Sequence, residues 1–182
     1  MDVPSFPRRD CLAALAALTL GGALPAARAA HVVRPWPADK PAPTLDLADL
    51  DGRRWTLADL RGTVVVMNFW ASWCEPCAVE MPSLSWLAEQ PGGDLRVIGV
   101  NYQEHEDKIR RFISQVPVSF PVLLDRSGDV ARAWTPRVFP STVVLARDGK
   151  PAFTVVGEFD WAGTEAERLL QPLMQRRSAA SR

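Results

Sequence analysis

The stretch from Val64 to Trp70 constrains the fold more than any other part of the sequence. Its residues are Val-Val-Val-Met-Asn-Phe-Trp, so six of the seven are apolar. A strand with one face in solvent alternates apolar and polar residues, whereas a strand covered on both faces is apolar throughout. We therefore predict a strand at the centre of a sheet, with other elements packed on both of its faces.

Strand-like and helix-like segments alternate along the rest of the chain. Two pairs of short strands flank Asp51-Gly52 and Asp148-Gly149, dipeptides that are typical of β-hairpin turns. The predicted strands lie at residues 44–48, 53–57, 63–70, 95–101, 121–125, 142–146 and 152–157, and the predicted helices at 75–89, 106–115, 129–134 and 164–176. This order predicts an α/β domain with a mixed central sheet flanked by helices and an added N-terminal β-hairpin.

The first residues of the chain predict an export signal. Arg8 and Arg9 precede an apolar run at 12–24 and then Ala27-Arg28-Ala29, the order of a secretory signal peptide over residues 1–29. As a helix the apolar run rises ~20 Å, too little to span a hydrocarbon core of ~30 Å comfortably. The paired arginines suit a twin-arginine signal or a general secretory one. We expect a periplasmic or exported protein with a cleaved signal, and an uncleaved membrane anchor is the alternative.

Length and charge limit the kind of domain that the chain can form after the signal. A chain of 182 residues suffices for one domain of ordinary size. We place that domain at 44–176, after a Pro-rich tether at 30–43 and before a C-terminal tail at 177–182. Because 21 Lys and Arg balance 21 Asp and Glu, no basic excess is available to bind a phosphate backbone. We expect a monomer without a nucleic-acid partner.

Cys74 and Cys77 stand three positions apart, where the predicted central strand gives way to a helix. The unpaired amides and the dipole at a helix N-terminus favour a thiolate, so we expect the pKa of Cys74 to lie below the usual ~8.5. Cys74 is then the nucleophile, and Cys77, one turn further along, resolves the mixed disulfide. Glu75 and Pro76 are the candidate redox-tuning residues. The carboxylate of Glu75 opposes a thiolate at Cys74, which favours a reducing pair.

Other uses of the two cysteines fit the sequence less well. A zinc site needs about four nitrogen or sulfur ligands, and after residue 29 the chain adds only His31 and His105 to this pair. A purely structural disulfide would close too small a loop to restrict the unfolded chain much. Two buried free thiols would suit a cytosolic protein, which the export signal argues against. We therefore predict no metal site and a redox-active disulfide.

Several motifs resemble those of the thioredoxin superfamily, and more closely those of its exported TlpA/ResA branch. They are Val66-Met67-Asn68-Phe69-Trp70-Ala71-Ser72-Trp73-Cys74-Glu75-Pro76-Cys77 with the following Glu80-Met81-Pro82, Gly99-Val100-Asn101-Tyr102, and Val138-Phe139-Pro140-Ser141-Thr142. The likeness extends over residues 43–175. It implies a thioredoxin-like fold and an exported protein that reduces disulfides.

The resemblance also assigns substrate-binding residues. Pro140 resembles the family's cis-proline, which lies against the active-site sulfurs and leaves the preceding residue, Phe139, free to pair with an extended segment of the substrate. The alternative is an ordinary trans proline that opens a strand. Trp73 resembles the tryptophan that shields the reactive sulfur. An exposed apolar surface around Trp73 would be a docking patch, whereas Trp70 is expected in the core.

One departure from plain thioredoxin concerns the base. Where thioredoxin carries a buried aspartate on the central strand, this chain has Asn68, which exchanges no proton. Glu80 lies one helical turn beyond Cys77 and resembles the active-site glutamate of the TlpA/ResA branch. Burial would raise the pKa of Glu80 and make it a proton acceptor for Cys77. The alternative is a solvated carboxylate on a helix surface.

The resemblance implies an enzyme, a protein disulfide reductase with no cofactor besides the Cys74–Cys77 pair. No nicotinamide or flavin motif is present, so electrons are expected from a membrane thiol-electron donor. The expected partner is a disulfide-containing substrate protein, with apocytochrome c ranked first and copper-site assembly or general disulfide repair after it. Two alternatives remain. Thioredoxin-fold copper metallochaperones separate their cysteines by three residues, whereas two residues separate Cys74 and Cys77 here. A thiol peroxidase needs a hydroxyl residue and a proline where this chain has Ala71 and Met67.

Overall fold

The computed structural model describes residues 31–135 and 137–175. The strands are β1 (Val32–Pro35), β2 (Asp46–Ala48), β3 (Arg54–Thr56), β4 (Val64–Trp70), β5 (Leu95–Tyr102), β6 (Val122–Asp125), β7 (Ser141–Leu145) and β8 (Pro151–Val156). The helices are α1 (Glu75–Ala88), α2 (Glu106–Ile113), α3 (Asp129–Trp134) and α4 (Thr164–Gln175), with a 3-10 helix at Leu57–Leu60. The predicted signal peptide at 1–29 and the tail at 177–182 lie outside the described residues.

Six strands form the main sheet in the order β1-β8-β7-β4-β5-β6. β4 is parallel to β5 and antiparallel to β7, and all seven of its residues are buried. The side chains of β4 alternate between two apolar clusters, with Val66 and Trp70 on the face covered by α1, α2 and α4. Met67 and Phe69 lie on the opposite face, against α3 and the segment before β4. The predicted mixed sheet, covered on both faces around a buried central strand, is confirmed.

β2 and β3 form the N-terminal hairpin that the sequence predicts. The buried carboxylate of Asp49 organises its turn by accepting the main-chain N–H of Asp51 at 3.0 Å and of Arg53 at 2.9 Å. The other oxygen of Asp49 accepts the indole N–H of Trp55 at 2.8 Å, and Trp55 is buried against the main sheet. The hairpin therefore serves as a cover for one face of the central strands.

Part of the segment predicted as a tether at 30–43 forms a strand. Val32–Pro35 pair antiparallel with β8, so the main sheet begins before residue 44. An edge strand tolerates proline because its missing N–H need not join the ladder, and Val33 packs against the core cluster.

In the described residues no helix is long and apolar enough to cross a membrane.

Candidate active site

The two cysteines lie at the start of α1, just beyond the carboxyl end of β4. Cys74 is the N-cap residue of α1, and its Sγ accepts the main-chain N–H of Cys77 at 3.3 Å. The two form a disulfide with their Cα atoms 5.3 Å apart. Pro76 stands in the first turn, where a helix has no use for its missing N–H. This geometry places a sulfur where a helix N-terminus stabilises negative charge.

The two sulfurs differ in their access to solvent. Cys74 is 5 % exposed to solvent, and Cys77 is completely buried. The residues between them, Glu75 and Pro76, are exposed. A partner sulfur approaching from solvent therefore reaches Cys74 first, while Cys77 stays enclosed by the core.

An aromatic patch, made of Trp73, Tyr102 and Phe139, lies beside the disulfide. Trp73 is 60 % exposed. The ring of Phe139 lies 6.0 Å from that of Trp73 and 5.1 Å from that of Tyr102, measured between centroids, and Phe139 packs against the core cluster that contains both cysteines. The Phe139–Pro140 peptide bond is cis. The segment before β7 thus faces the reactive turn with an apolar surface of the kind that docks a protein partner.

Glu80 is buried in α1 one turn after Cys77, with 2 % of its surface exposed. Its Oε1 accepts the indole N–H of Trp161, whereas Oε2 has no hydrogen-bond partner among the described residues. The pKa of Glu80 is raised to about 8, mainly by burial. The hydrogen bond from Trp161 acts in the opposite direction, and the charge of Glu158 adds to the increase. A carboxyl group with this pKa exchanges a proton near neutral pH.

Asn68 occupies the centre of β4 and is also buried. Its Nδ2 donates to the hydroxyl of Thr142 on β7 at 2.9 Å. This pair joins two neighbouring strands and contains no group that titrates near neutral pH. Asn68 and Thr142 therefore offer no proton acceptor, whereas Glu80 on α1 is a buried carboxyl group.

Glu104 is a residue of the site that the sequence motifs do not indicate. Its carboxylate is buried beyond the end of β5 and binds Ser72, which precedes Trp73 in the turn to α1. A signal for it exists in the sequence, because β4 and β5 are adjacent parallel strands whose carboxyl ends meet at one edge of the sheet. A carboxylate two residues after the second of these strands is therefore a candidate neighbour of the reactive turn.

The positions relevant to the alternative functions are also described. Among residues 31–135 and 137–175, no group of three or more His, Cys, Asp or Glu side chains is placed to hold a metal ion. His105 is exposed at the start of α2. Met67 and Ala71 are fully buried and apolar, so they provide neither the hydroxyl nor the proline of a thiol peroxidase site.

Comparison with protein families and curated sequences gives consistent matches. The model of the AhpC/TSA family matches residues 38–152. A thiol-disulfide oxidoreductase named ResA from Bacillus cereus is 31% identical over 120 residues, which cover 65% of this chain and 69% of the relative. The family match includes both cysteines and the strand that precedes them.

Solved structures give the same picture. A protein described as thiol:disulfide interchange protein DsbE from Chlorobium tepidum superposes with a TM-score of 0.67 at 27% identity, covering 74% of this chain and 95% of that one. The exposed lipoprotein thioredoxin Etrx1 of Streptococcus pneumoniae gives a TM-score of 0.61 at 28% identity, covering 72% and 98%. Because 95% and 98% of the two solved chains are covered, nearly all of each solved domain has a counterpart in this chain.

Proposed function

Since the chain belongs to the AhpC/TSA family and is a thioredoxin-like thiol-disulfide oxidoreductase, we propose that it reduces disulfides in partner proteins outside the cytoplasm. One observation carries the proposal. The Cys74–Cys77 disulfide lies at the start of α1, and its more exposed sulfur is next to the aromatic patch. A protein docked on that patch brings its own disulfide to Cys74.

Reduction takes two exchange steps. The Cys74 thiolate attacks one sulfur of the partner's disulfide, a mixed disulfide forms, and the other partner sulfur leaves as a thiolate. Cys77 then attacks Sγ of Cys74, the bond to the partner breaks, and the second partner thiolate leaves. The partner gains two electrons, and the enzyme is left with the Cys74–Cys77 disulfide that the structure contains.

Glu80 serves the second step. Cys77 is enclosed and attacks only as a thiolate, so its proton needs an acceptor close by. The Cys77 S–H bond breaks, the proton passes to the Glu80 carboxylate, and the resulting acid can return it to the leaving partner thiolate. Burial raises the pKa of Glu80 to about 8, so it is the ionised fraction of Glu80, which grows as the pH rises toward that value, that accepts this proton.

The direction, the partners and the location belong to the same proposal. Glu75 is exposed beside Cys74 and disfavours the thiolate, which favours the disulfide form and makes the dithiol a reductant. We place apocytochrome c first among the substrates and a membrane thiol-electron donor upstream. Export rests on the signal at residues 1–29 and on relatives such as the exposed lipoprotein of S. pneumoniae.

A trapping experiment tests these roles. In the cell envelope, the Cys77→Ser variant should accumulate mixed disulfides with partner proteins, because nothing displaces the captured sulfur. The matched Cys74→Ser variant should capture none and should lose disulfide reductase activity. If neither variant captures a partner protein, or if both capture equal amounts, the assignment of the two cysteines is contradicted. Mass spectrometry of the captured proteins then identifies the substrates and shows whether a haem-binding cytochrome polypeptide is among them.

A glutathione titration tests the direction separately. We expect the potential of the pair to lie nearer to the roughly −270 mV typical of thioredoxin than to the roughly −120 mV typical of DsbA. A value near the second figure would make the protein an oxidant and would overturn the reductase proposal while leaving the exchange chemistry intact.

A further inference from the structure

Trp161 reaches the buried acid of the active site from a distant part of the chain. It lies between β8 and α4, and its indole N–H donates to Oε1 of Glu80, 81 residues away. The main-chain N–H of Trp161 donates to Oγ of Ser83 at 3.2 Å, and the same hydroxyl donates to the main-chain oxygen of Glu80 at 2.9 Å. Both the side chain and the backbone of Trp161 are therefore fastened to the turn of α1 that holds Glu80.

Packing fixes the indole in this orientation. Trp161 is 1 % exposed, and the ring of Phe159 lies edge-on at 4.8 Å between centroids. A buried indole that is held by its backbone and by a neighbouring ring has little freedom to turn its N–H elsewhere. The donor is thus preorganised for one carboxylate oxygen.

The chemistry of the indole makes the two oxygens of Glu80 unequal. An indole nitrogen only donates, so Oε1 cannot carry a proton aimed at Trp161 while this hydrogen bond is in place. Oε2 is buried and has no hydrogen-bond partner among the described residues. A proton taken up by Glu80 therefore belongs on Oε2.

We propose that Trp161 is a positioning residue for the exchange reaction, which holds Oε1 of Glu80 and leaves Oε2 as the oxygen that takes the proton of Cys77 and releases it again. This inference rests on the proposed role of Glu80. It adds a residue that neither the cysteine motif nor the spacing of Glu80 indicates. No new reactant is needed, because the proton moves between Cys77, Glu80 and the departing partner thiolate.

The groups around Glu80 act on it in opposite directions. Burial raises the pKa of Glu80, the Trp161 hydrogen bond lowers it, and the charge of Glu158, from the same segment as Trp161, raises it. On α1 itself, Cys77 lies one turn before Glu80, and Glu75 stands at the exposed start of the helix. The ring of His31 lies 4.6 Å from that of Phe159, measured between centroids, and its Nε2 pairs with the carboxylate of Glu165 on α4. Trp161 is therefore the contact that favours an ionised Glu80.

The test measures the titration of Glu80 directly, by carbon NMR of its carboxyl group in the oxidised protein. The Trp161→Phe variant keeps an aromatic ring and loses the N–H, so the Glu80 midpoint should move upward by about one pH unit. The matched control is Trp86→Phe, which removes the indole N–H of a half-exposed tryptophan on the same helix and should leave the midpoint in place. An unmoved midpoint in Trp161→Phe overturns the inference.

A second measurement needs no substitution at Trp161, in case that variant does not fold. In the unmodified protein the indole N–H resonance of Trp161 should titrate with the midpoint of Glu80, and the Glu80→Gln variant should abolish that titration. A resonance that does not respond to pH overturns the inference.

Kinetics separate the role of Glu80 from that of Trp161. If Glu80→Gln leaves the pH dependence of thiol–disulfide exchange unchanged, the proposed role of Glu80 fails and takes the role of Trp161 with it. If Glu80→Gln alters that dependence but Trp161→Phe shifts neither the carboxyl midpoint nor the rate profile, only the inference about Trp161 fails.

Discussion

Glu104 holds Ser72 through both of its carboxylate oxygens. The main-chain N–H of Ser72 donates to Oε2 at 2.6 Å and its hydroxyl donates to Oε1 at 2.7 Å. Asn101 Nδ2 donates to Oε2 at 2.9 Å, and Lys108 Nζ lies 2.8 Å from Oε1. Because Ser72 stands two residues before Cys74, this buried carboxylate fastens the reactive turn to the end of β5.

Replacing Glu104 with Ala should therefore destabilise the protein. The change leaves several donors around the turn without an acceptor, and we expect the free energy of unfolding to fall by about 2 kcal/mol or more at neutral pH. The control is Lys108→Ala, which removes a half-exposed partner and should cost less than about 1 kcal/mol. Urea denaturation of the oxidised variants measures both. Equal losses would show that the carboxylate has no special part in holding the turn.

Acid should weaken the same contact. Burial raises the pKa of Glu104, but the hydrogen bonds from Lys108, Ser72 and Asn101 outweigh it and hold the pKa below its usual value of 4.5. Such a group stabilises the folded state at neutral pH, and its contribution is lost as the pH falls below that value. The wild-type protein and Glu104→Ala should therefore differ less in unfolding free energy in acid than at neutral pH. A difference that stays constant would contradict this.

Glu80 should give the opposite pH dependence. Burial raises its pKa to about 8 in the folded protein, against about 4.3 in an unfolded chain. Between these values the folded state holds a proton that the unfolded state has lost, so stability falls as the pH rises, by up to about 1.4 kcal/mol per pH unit. The Glu80→Gln variant should lack this slope in urea titrations between about pH 5 and pH 8. Parallel curves for the two proteins would argue against a proton on Glu80.

Glu75 should tune the redox potential. It is exposed in the first turn of α1, beside Cys74, so removing its charge favours the thiolate and destabilises the disulfide. We expect Glu75→Gln to move the potential by about 10 mV to less negative values, a small shift because solvent screens an exposed charge. Glu89→Gln changes a charge at the far end of α1 and is the control. A glutathione titration checks both, and a shift to more negative values would refute the electrostatic argument.

Trp73 should matter for protein substrates more than for small thiols. Trp73 is 60 % exposed, and its ring centroid lies 6.0 Å from that of Phe139, as expected of an anchor for a docked chain. Trp73→Ala should lower kcat/KM for a protein disulfide by about tenfold, while the rate with dithiothreitol changes little. Trp86→Ala removes another half-exposed tryptophan of the same helix region and should leave both rates alone. A loss of the same size with both substrates would place Trp73 in the chemistry instead.

Local patterns were sufficient to predict most of the fold. The apolar run of β4 and the two Asp-Gly turns are signals that a short window of sequence contains. β1 has no such signal, because it ends in Pro35, Pro37 follows shortly after it, and among its residues only Val32 and Val33 are apolar and able to donate to a strand ladder. Its stability comes from pairing with β8, more than a hundred residues later, and a pairing at that distance leaves no trace in the local sequence.

The same distinction separates the parts of the site. The spacing of Cys74 and Cys77, and of Glu80 one turn later, follows from helix periodicity and is visible in the sequence. The contact between Glu80 and Trp161 depends on how the segment after β8 packs on α1, so no spacing rule indicates it. Glu104 falls between these cases. Its position after β5 predicts that it lies at the same edge of the sheet as the cysteines, but no local pattern predicts that its carboxylate binds Ser72.

The pairing of β1 also orients the molecule. Val32 is opposite Val156, Val156 is opposite Ser141, and Ser141 is opposite Phe69. The chain therefore enters the domain at the same rim as the disulfide, three strand spacings or about 15 Å from β4. A surface or partner that contacts the start of β1 would therefore lie at the end of the sheet that carries the reactive sulfur, and not at the opposite end.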